Sequence, residues 1–143
     1  MERTNIIYRI GGFDLTQFAP SWDELKGDES YEMRSSVNFA YNFEKYTIKS
    51  VLDVEFYGNE KLALKIQLCT FVILSEETAK SFVNDSKVII PADFLAQCAS
   101  FGHGALRGIM YLKTVNTPLE GVVMPPVEYG KLFEKSLSFE MPK

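Results

Sequence analysis

Between residues 31 and 74 apolar and polar positions alternate with a period of two in three successive runs, each the mark of a half-buried antiparallel strand. The first run takes Tyr31, Met33, Val37, Phe39, Tyr41 and Phe43. The second takes Tyr46, Ile48, Leu52, Val54 and Phe56, opposite Lys49, Asp53 and Glu55, and the third takes Leu62, Leu64, Ile66, Leu68, Val72 and Leu74. Glu44-Lys45 and Gly58-Asn59 supply the turns between them. In the third run the other face changes from Lys65 and Gln67 to Cys69, Phe71 and Ile73, so that end of the strand is apolar on both sides. A sheet covered by helices on one side needs only one apolar face. Phe71 and Ile73 therefore require a second cover, whether a loop, a ligand or another subunit.

Ahead of these runs, Ile6 to Ile10 predicts a further strand that ends or bends at Gly11-Gly12. Phe13, Leu15, Phe18 and Trp22 follow in an extended or irregular segment interrupted by Pro20, and a polar loop runs from Asp23 to Ser30. Trp22, at the root of that loop, either plugs one end of the core or stands exposed at a binding surface.

After Leu74 the period changes. Ser75-Glu76-Glu77-Thr78 opens a short helix to about Asn84, and Val88-Ile89-Ile90 leads into a long one. Pro91 suits a first helical turn because its missing N–H would be unsatisfied there anyway, and Asp93 sets a negative charge against the positive dipole end. Phe94, Leu95, Cys98, Phe101, Ala105, Leu106, Ile109, Met110 and Leu112 recur at spacings of three and four, an apolar stripe along about six turns. Gly102, Gly104 and Gly108 interrupt it, and each costs a helix about 1 kcal/mol relative to Ala. Either a kink at Gly102-His103-Gly104 or close packing of another element would account for that cost, and close packing is the favoured reading for Gly104 and Gly108, which share a face. Turn chemistry occupies Thr114 to Gly121, Pro125-Pro126 keeps the chain extended, and a second helix is expected from Val127 to Leu137. Four strands followed by helices describe an α+β fold: a four-stranded antiparallel sheet with a long helix and a shorter C-terminal helix packed on one face, in a single domain over residues 1–143.

Composition narrows what such a domain can do. A chain of 143 residues with 46% apolar and 24% charged residues has the make-up of a globular protein, and 11 Phe and 7 Tyr enrich it in aromatics that serve a core or an interface. The formal charge of −4 comes without any cluster of Lys or Arg, so nucleic acid is not an expected partner. No stretch approaches the roughly 18 apolar residues of a membrane span, and the N-terminus has no leader pattern, so membrane insertion is not expected and the expected location is cytoplasmic. Cys69 and Cys98 lack a CxxC spacing and read as buried free thiols, and one His with two Cys is too few for a dedicated metal site. His103 sits between two glycines with no triad partner, and Arg107 one turn later disfavours its protonation. Phosphate-loop, dinucleotide and nucleophile-elbow motifs are missing, so neither cofactor nor catalytic residue is assigned.

The string Gly104-Ala105-Leu106-Arg107-Gly108, then Lys113-Thr114, Thr117-Pro118-Leu119, Met124-Pro125-Pro126-Val127 and Leu132, resembles the C-terminal half of SecB-like protein-export chaperones. Phe13-Asp14-Leu15 and Ala19-Pro20 extend the likeness. The resemblance implies a homotetramer built as a dimer of dimers, with the first strand and the long helices at the contacts. Ile6, Tyr8 and Ile10, together with Gly104, Arg107 and Gly108, are the interface residues it suggests here. It also implies a holdase that takes unfolded polypeptide clients, preproteins for export or an unstable antitoxin, in apolar aromatic-lined grooves. Phe18, Trp22, Phe39, Tyr41, Met124, Tyr129 and Phe133 are the residues of this chain suited to line them. Export-dedicated members dock on the SecA motor through an acidic sheet face. Of that pattern only Asp14 has a counterpart, since Phe18 stands where a glutamate is expected; Glu128, in place of Asn or Asp, is also a weaker cap for the second helix. Two other classes fit the same outline: a small hotdog-like thioesterase with Asp93 as its carboxylate, and a purely structural oligomerisation domain.

Overall fold

A computed structural model describes residues 5–21, 30–122 and 124–142. Four strands form one antiparallel sheet in the order β1-β4-β3-β2: β1 Tyr8–Pro20, β2 Tyr31–Asn42, β3 Thr47–Gly58 and β4 Lys61–Leu74. The alternation fixes the register. Val37 lies opposite Leu52, and Leu52 opposite Leu68, so the three sets share one face, where the residues of β3 and β4 are buried and those of β2, at the sheet edge, are half-buried. Leu62, beyond an irregularity between Phe56 and Tyr57, is exposed instead. The β2–β3 turn is held by the Asn42 side chain, whose Oδ1 accepts from the N–H groups of Glu44 and Lys45, both at 3.0 Å. The β3–β4 turn falls one residue later than expected, on Asn59 and Glu60, which take left-handed φ values of 52° and 66°. Such a pair matches the twist of a tight hairpin.

The first strand is longer than the sequence suggests. Of the two outcomes expected at Gly11-Gly12, an end or a bend, the strand takes the second: β1 continues to Pro20 and pairs with β4 throughout, with irregularities between Ile10 and Gly12 and between Leu15 and Gln17. Each irregularity absorbs one residue. Tyr8, Ile10, Phe13, Leu15 and Phe18 consequently share the helix-covered face, as their partners Leu74, Val72, Thr70, Leu68 and Ile66 do. A spacing of two, three, two and three hides this alternation from a period-two reading. Gly12 has φ +146°, a conformation that L side chains rarely adopt, and a Cβ at Gly11 would lie 2.7 Å from Ile73 Cδ1.

Ser75 caps α1 (Glu76–Ser81) by accepting the Thr78 N–H at 3.1 Å. The chain then forms a hairpin, β5 Val83–Asn84 and β6 Lys87–Ile90, where a longer helix was expected. The long helix α2 spans Ala92–Thr114, unbroken through all three glycines. Its Phe94, Leu95 and Cys98 pack with Ile48, Val72 and Leu74 at one end of the sheet, and Leu106 and Met110 pack with Leu52, Leu64, Ile66 and Leu68 at the other. Each such side chain contributes about 1.5–3 kcal/mol by leaving water.

Of the second helix only one turn exists, α3 Tyr129–Leu132. Glu128 gives no side-chain cap, Gly130 lies within the turn, and Phe133 is already extended. The expected end of that helix is instead strand β7, Leu137–Glu140, which pairs with β6 to make a second, three-stranded sheet β5-β6-β7. The apolar stripe of the long helix needs correction at Leu112, which is 73% exposed. Among the described residues of this single chain nothing lies within 4 Å of a Cβ placed at Gly104 or Gly108, so a partner for that face would have to come from outside it. Close packing falls on Gly102, where a Cβ would meet Thr70 Oγ1 at 2.8 Å.

Candidate functional site

Among the described residues, one face of the sheet carries no helix, and its two ends differ. Towards the β3–β4 turn it is polar: Gln67 donates to Asp53 Oδ1 at 2.8 Å, Thr16 donates to Gln67 Oε1 at 2.6 Å, Tyr57 donates to Glu55, and the Arg34 guanidinium lies 4.3 Å from the centre of the Tyr57 ring. Asp14, the one counterpart of the acidic docking pattern, is exposed on β1 opposite Cys69. Towards the β2–β3 turn this face becomes apolar. There Phe71 and Ile73, with Gly11, Ala40, Phe43 and Pro142, line a concave surface of about 800 Å³ rimmed by Lys45 and Lys49. Among the described residues no element covers Phe71 and Ile73 fully; both remain half-buried.

Around the corner of that end the aromatics continue. Tyr41 meets Phe43 edge-on at 5.0 Å and Phe139 at 5.9 Å. A further hollow of about 260 Å³ is lined by Tyr41, Phe43, Tyr46, Val83, Val88 and Met141, with Lys80 at its edge. The polar tips of Tyr41 and Tyr46 with Lys80 leave an apolar floor and a wet margin, an arrangement suited to sequence-tolerant contact. Burial raises the Tyr41 phenol above its usual range, with Tyr46 adding to the effect.

The candidate client-binding residues do not form one surface. Phe39, Tyr129 and Phe133 come together: Phe39 meets Phe133 edge-on at 5.5 Å, and Phe133 stacks on Tyr129 at 6.1 Å. Tyr41 lies at the hairpin end already described. Phe18 is half-buried on β1, with Lys113 Nζ 5.8 Å from its ring centre. Met124 and Tyr129 are buried, at 1% and 3% exposure, so both serve this chain's own packing in the form seen. Trp22 lies outside the described residues.

Tyr129 is anchored by the lone histidine. His103 Nε2 lies 2.9 Å from the Pro125 carbonyl, so that nitrogen carries the proton and donates; Nδ1 is then the acceptor for the Tyr129 hydroxyl at 3.1 Å. These two bonds fasten residues 125–129 to α2. Burial is the main cause holding the His103 pKa below its ordinary value, opposed by the Pro125 carbonyl and reinforced by Arg107. A depressed folded pKa means that the unfolded chain takes up the proton first. The contribution of neutral His103 is therefore complete above pH 6.5 and is lost as pH falls below 6.5 through the folded value. Urea titrations should show a fall in stability across that window that is smaller in His103→Gln than in the parent chain.

The candidate interface residues also divide. Tyr8 packs on α2, 5.4 Å from Phe94 and 5.7 Å from Phe101, and its hydroxyl accepts from Gln97 at 3.2 Å. Ile6 is half-buried against the same cluster, and Ile10 is 37% exposed at the β1 edge. Gly104, Arg107 and Gly108 are exposed on α2. Tyr111 and Leu112, both 73% exposed, and Val115, 42% exposed, continue the Gly104–Gly108 face at helical spacing. The sequence reading missed Tyr111 and Val115 as surface residues; the signal was the glycine spacing, since positions four, seven, eight and eleven residues beyond Gly104 share its face. Beside this stripe, Arg107, Met110, Thr114, Glu120, Val122 and Met124 border a cleft of about 480 Å³. Asp93, the carboxylate of the thioesterase alternative, is exposed at the start of α2 and accepts the Phe94 N–H at 2.9 Å.

No protein-family model matches this sequence, and no curated protein matches it. Among solved structures, the Mycobacterium tuberculosis Rv1957 SecB-like chaperone, in complex with a ChAD peptide from the Rv1956 HigA1 antitoxin, matches with a TM-score of 0.51 at 6% identity, over 84% of this chain and 90% of that one. At that identity the likeness is one of fold. The α+β arrangement of a four-stranded antiparallel sheet with a long helix on one face is a SecB-like fold, in agreement with the resemblance carried by the residues around Gly104–Gly108 and Met124–Val127.

Proposed function

We propose that this chain is a SecB-like holdase that binds unfolded polypeptide. The observation that carries the reading is the uncovered apolar end of the sheet, where Phe71 and Ile73 continue into the Tyr41–Phe43–Tyr46 aromatics. Non-directional burial of apolar side chains, with polar rims that exclude no particular sequence, is the chemistry a holdase needs. The fold likeness to a chaperone solved with an antitoxin peptide supports the same reading. Phe39, Tyr41 and Phe133 are the client-contacting residues favoured by exposure, and Phe18 is a more peripheral one. Tyr129 and Met124 would join them only on opening of the segment that now buries them.

The exposed Gly104–Gly108–Tyr111–Leu112–Val115 stripe suits close approach of a second long helix, and the β1 edge suits strand pairing. Both support assembly towards a tetramer, which in this reading acts in the cytoplasm without cofactor. Client release to SecA is the weaker branch, because the open face carries Arg34 and Lys65 among its acids; protection of an antitoxin-type client is the stronger one.

Light-scattering mass after size exclusion tests the proposal, with the protein alone and mixed with a reduced, chemically unfolded client. Co-elution with the unfolded but not the native client is expected. A chain that never retains the unfolded client overturns the reading whatever its mass. In the same measurement Gly108→Leu should lower the assembled mass while the chain stays folded, since space is open there in the single chain.

A further inference from the structure

The second sheet holds its outer strand by little more than backbone. β7 pairs with β6 through Lys87↔Glu140, Val88↔Phe139, Ile89↔Ser138 and Ile90↔Leu137, and the Met141 N–H donates to the Ser86 carbonyl at 2.8 Å. Antiparallel ladders alternate, so Val88 and Ile90 are the residues that exchange backbone bonds with β7. Ile89 turns the other way, where its N–H donates to the Phe82 carbonyl at 2.9 Å. Of the side chains of β7 only Phe139 is even half-buried; Leu137, Ser138 and Glu140 are exposed. Phe139 packs against the cluster containing Val88 and lies 5.9 Å from Tyr41. One aromatic anchor, a row of main-chain bonds and otherwise free side chains make up a mode of strand addition that is tolerant of sequence.

We propose that the β6 edge is an acceptor site for an extended segment of a polypeptide client, and that β7 occupies it in cis as a competitor. The preferred segment would carry an aromatic residue flanked by freely variable positions, because Phe139 marks the anchor subsite and its neighbours face solvent. The acceptor is continuous with the surface already described: Val88 and Met141 line the same hollow as Tyr41 and Phe43, and Pro142 reaches the concave face beside Phe71 and Ile73. A client strand seated on β6 would therefore lead its flanking residues onto those aromatics. The assignment of a client as occupant rests on the holdase reading; the acceptor itself does not.

The full chain with Ile89→Cys and Ser138→Cys tests this, because these residues face each other at a pair without mutual backbone bonds, where side chains are closest. The probes are a fluorescent peptide of the sequence 135–142 and an unfolded client lacking cysteine. Oxidation should lock β7 and lower peptide and client binding at least tenfold, with recovery on reduction. A chain ending at Ser136, confirmed folded by circular dichroism, should bind the peptide at least tenfold more tightly than the full chain does. If the shortened chain is not folded, full-length Phe139→Ala serves instead and should bind the peptide several-fold more tightly than the parent. A peptide carrying alanine in place of its phenylalanine should lose most of this binding.

Equal binding of peptide and client by the oxidised and reduced forms overturns the acceptor while leaving the holdase intact. Peptide binding that follows the lock, without any client binding in any form, upholds the acceptor and overturns the holdase. A dimer of the full chain that disappears on ending at Ser136 would assign the site to a second copy's β7 and overturn the client assignment.

Discussion

Gly102→Val should destabilise the chain by about 1–3 kcal/mol, the usual range for forcing extra atoms into a packed core. A Cβ at Gly102 would stand 2.8 Å from Thr70 Oγ1, on the central strand β4 and buried with it, so neither the helix nor the sheet can retreat cheaply. Thr70 Oγ1 has no hydrogen-bond partner among the described residues and is held against the bare helix backbone. Thr70→Ala in the Gly102→Val background should therefore restore part of the loss. The other two glycines behave oppositely in the single chain: Gly104→Ala and Gly108→Ala should each be neutral or stabilising by up to about 1 kcal/mol, since Ala is the better helix former and the space is open. Urea midpoints of the three variants check this together. Equal midpoints for Gly102→Val and the parent would place the helix–sheet contact elsewhere.

Tyr129→Ala should cost about 3–5 kcal/mol, the range for truncating a buried aromatic. Its ring closes a small cluster with Ala96 and Ala99, supported by Val37, Phe39 and Phe133, and its hydroxyl is the donor to His103 Nδ1. Tyr129→Phe separates the two contributions: it keeps the ring and removes the donor, leaving a buried acceptor unpaired for about 1–3 kcal/mol. The effect of Tyr129→Ala should also be local. One helical turn, with Lys131 N–H to the Glu128 carbonyl at 3.1 Å and Phe133 N–H to the Tyr129 carbonyl at 3.1 Å, cannot hold the segment without its anchor. Hydrogen exchange should therefore accelerate across residues 124–133 while β3 and β4 remain protected. Uniform acceleration over the whole sheet would mean that the segment is an integral part of the core rather than a fastened flap.

Much of this was legible in the residues. Period-two alternation marked β2, β3 and β4 because each strand has one wet face and one covered face, which leaves the pattern intact. The start of α2 was legible from Pro91 and Asp93, and α1 from Ser75, because capping is a local interaction. The uncovered Phe71 and Ile73 were also visible, as residues that break the polar face of an otherwise regular strand. Where the reading failed, a non-local partner had decided. β1 concealed its alternation behind two bulges, which only pairing with β4 brings into register. β5, β6 and β7 are too short to announce themselves: four residues of Lys87–Ile90 become a strand because Leu137–Glu140, some fifty positions away, supplies the ladder.

The sequence by itself determined the class of fold, the faces of β2, β3 and β4 and the extent of the long helix, since these follow from local periodicity and capping. Tertiary structure alone decided which glycine is crowded, because crowding depends on Thr70 across the interface and not on helical spacing. It likewise decided that His103, unremarkable between its glycines, fastens Tyr129 and the Pro125 carbonyl, for a buried hydrogen bond is created by what the fold brings within reach.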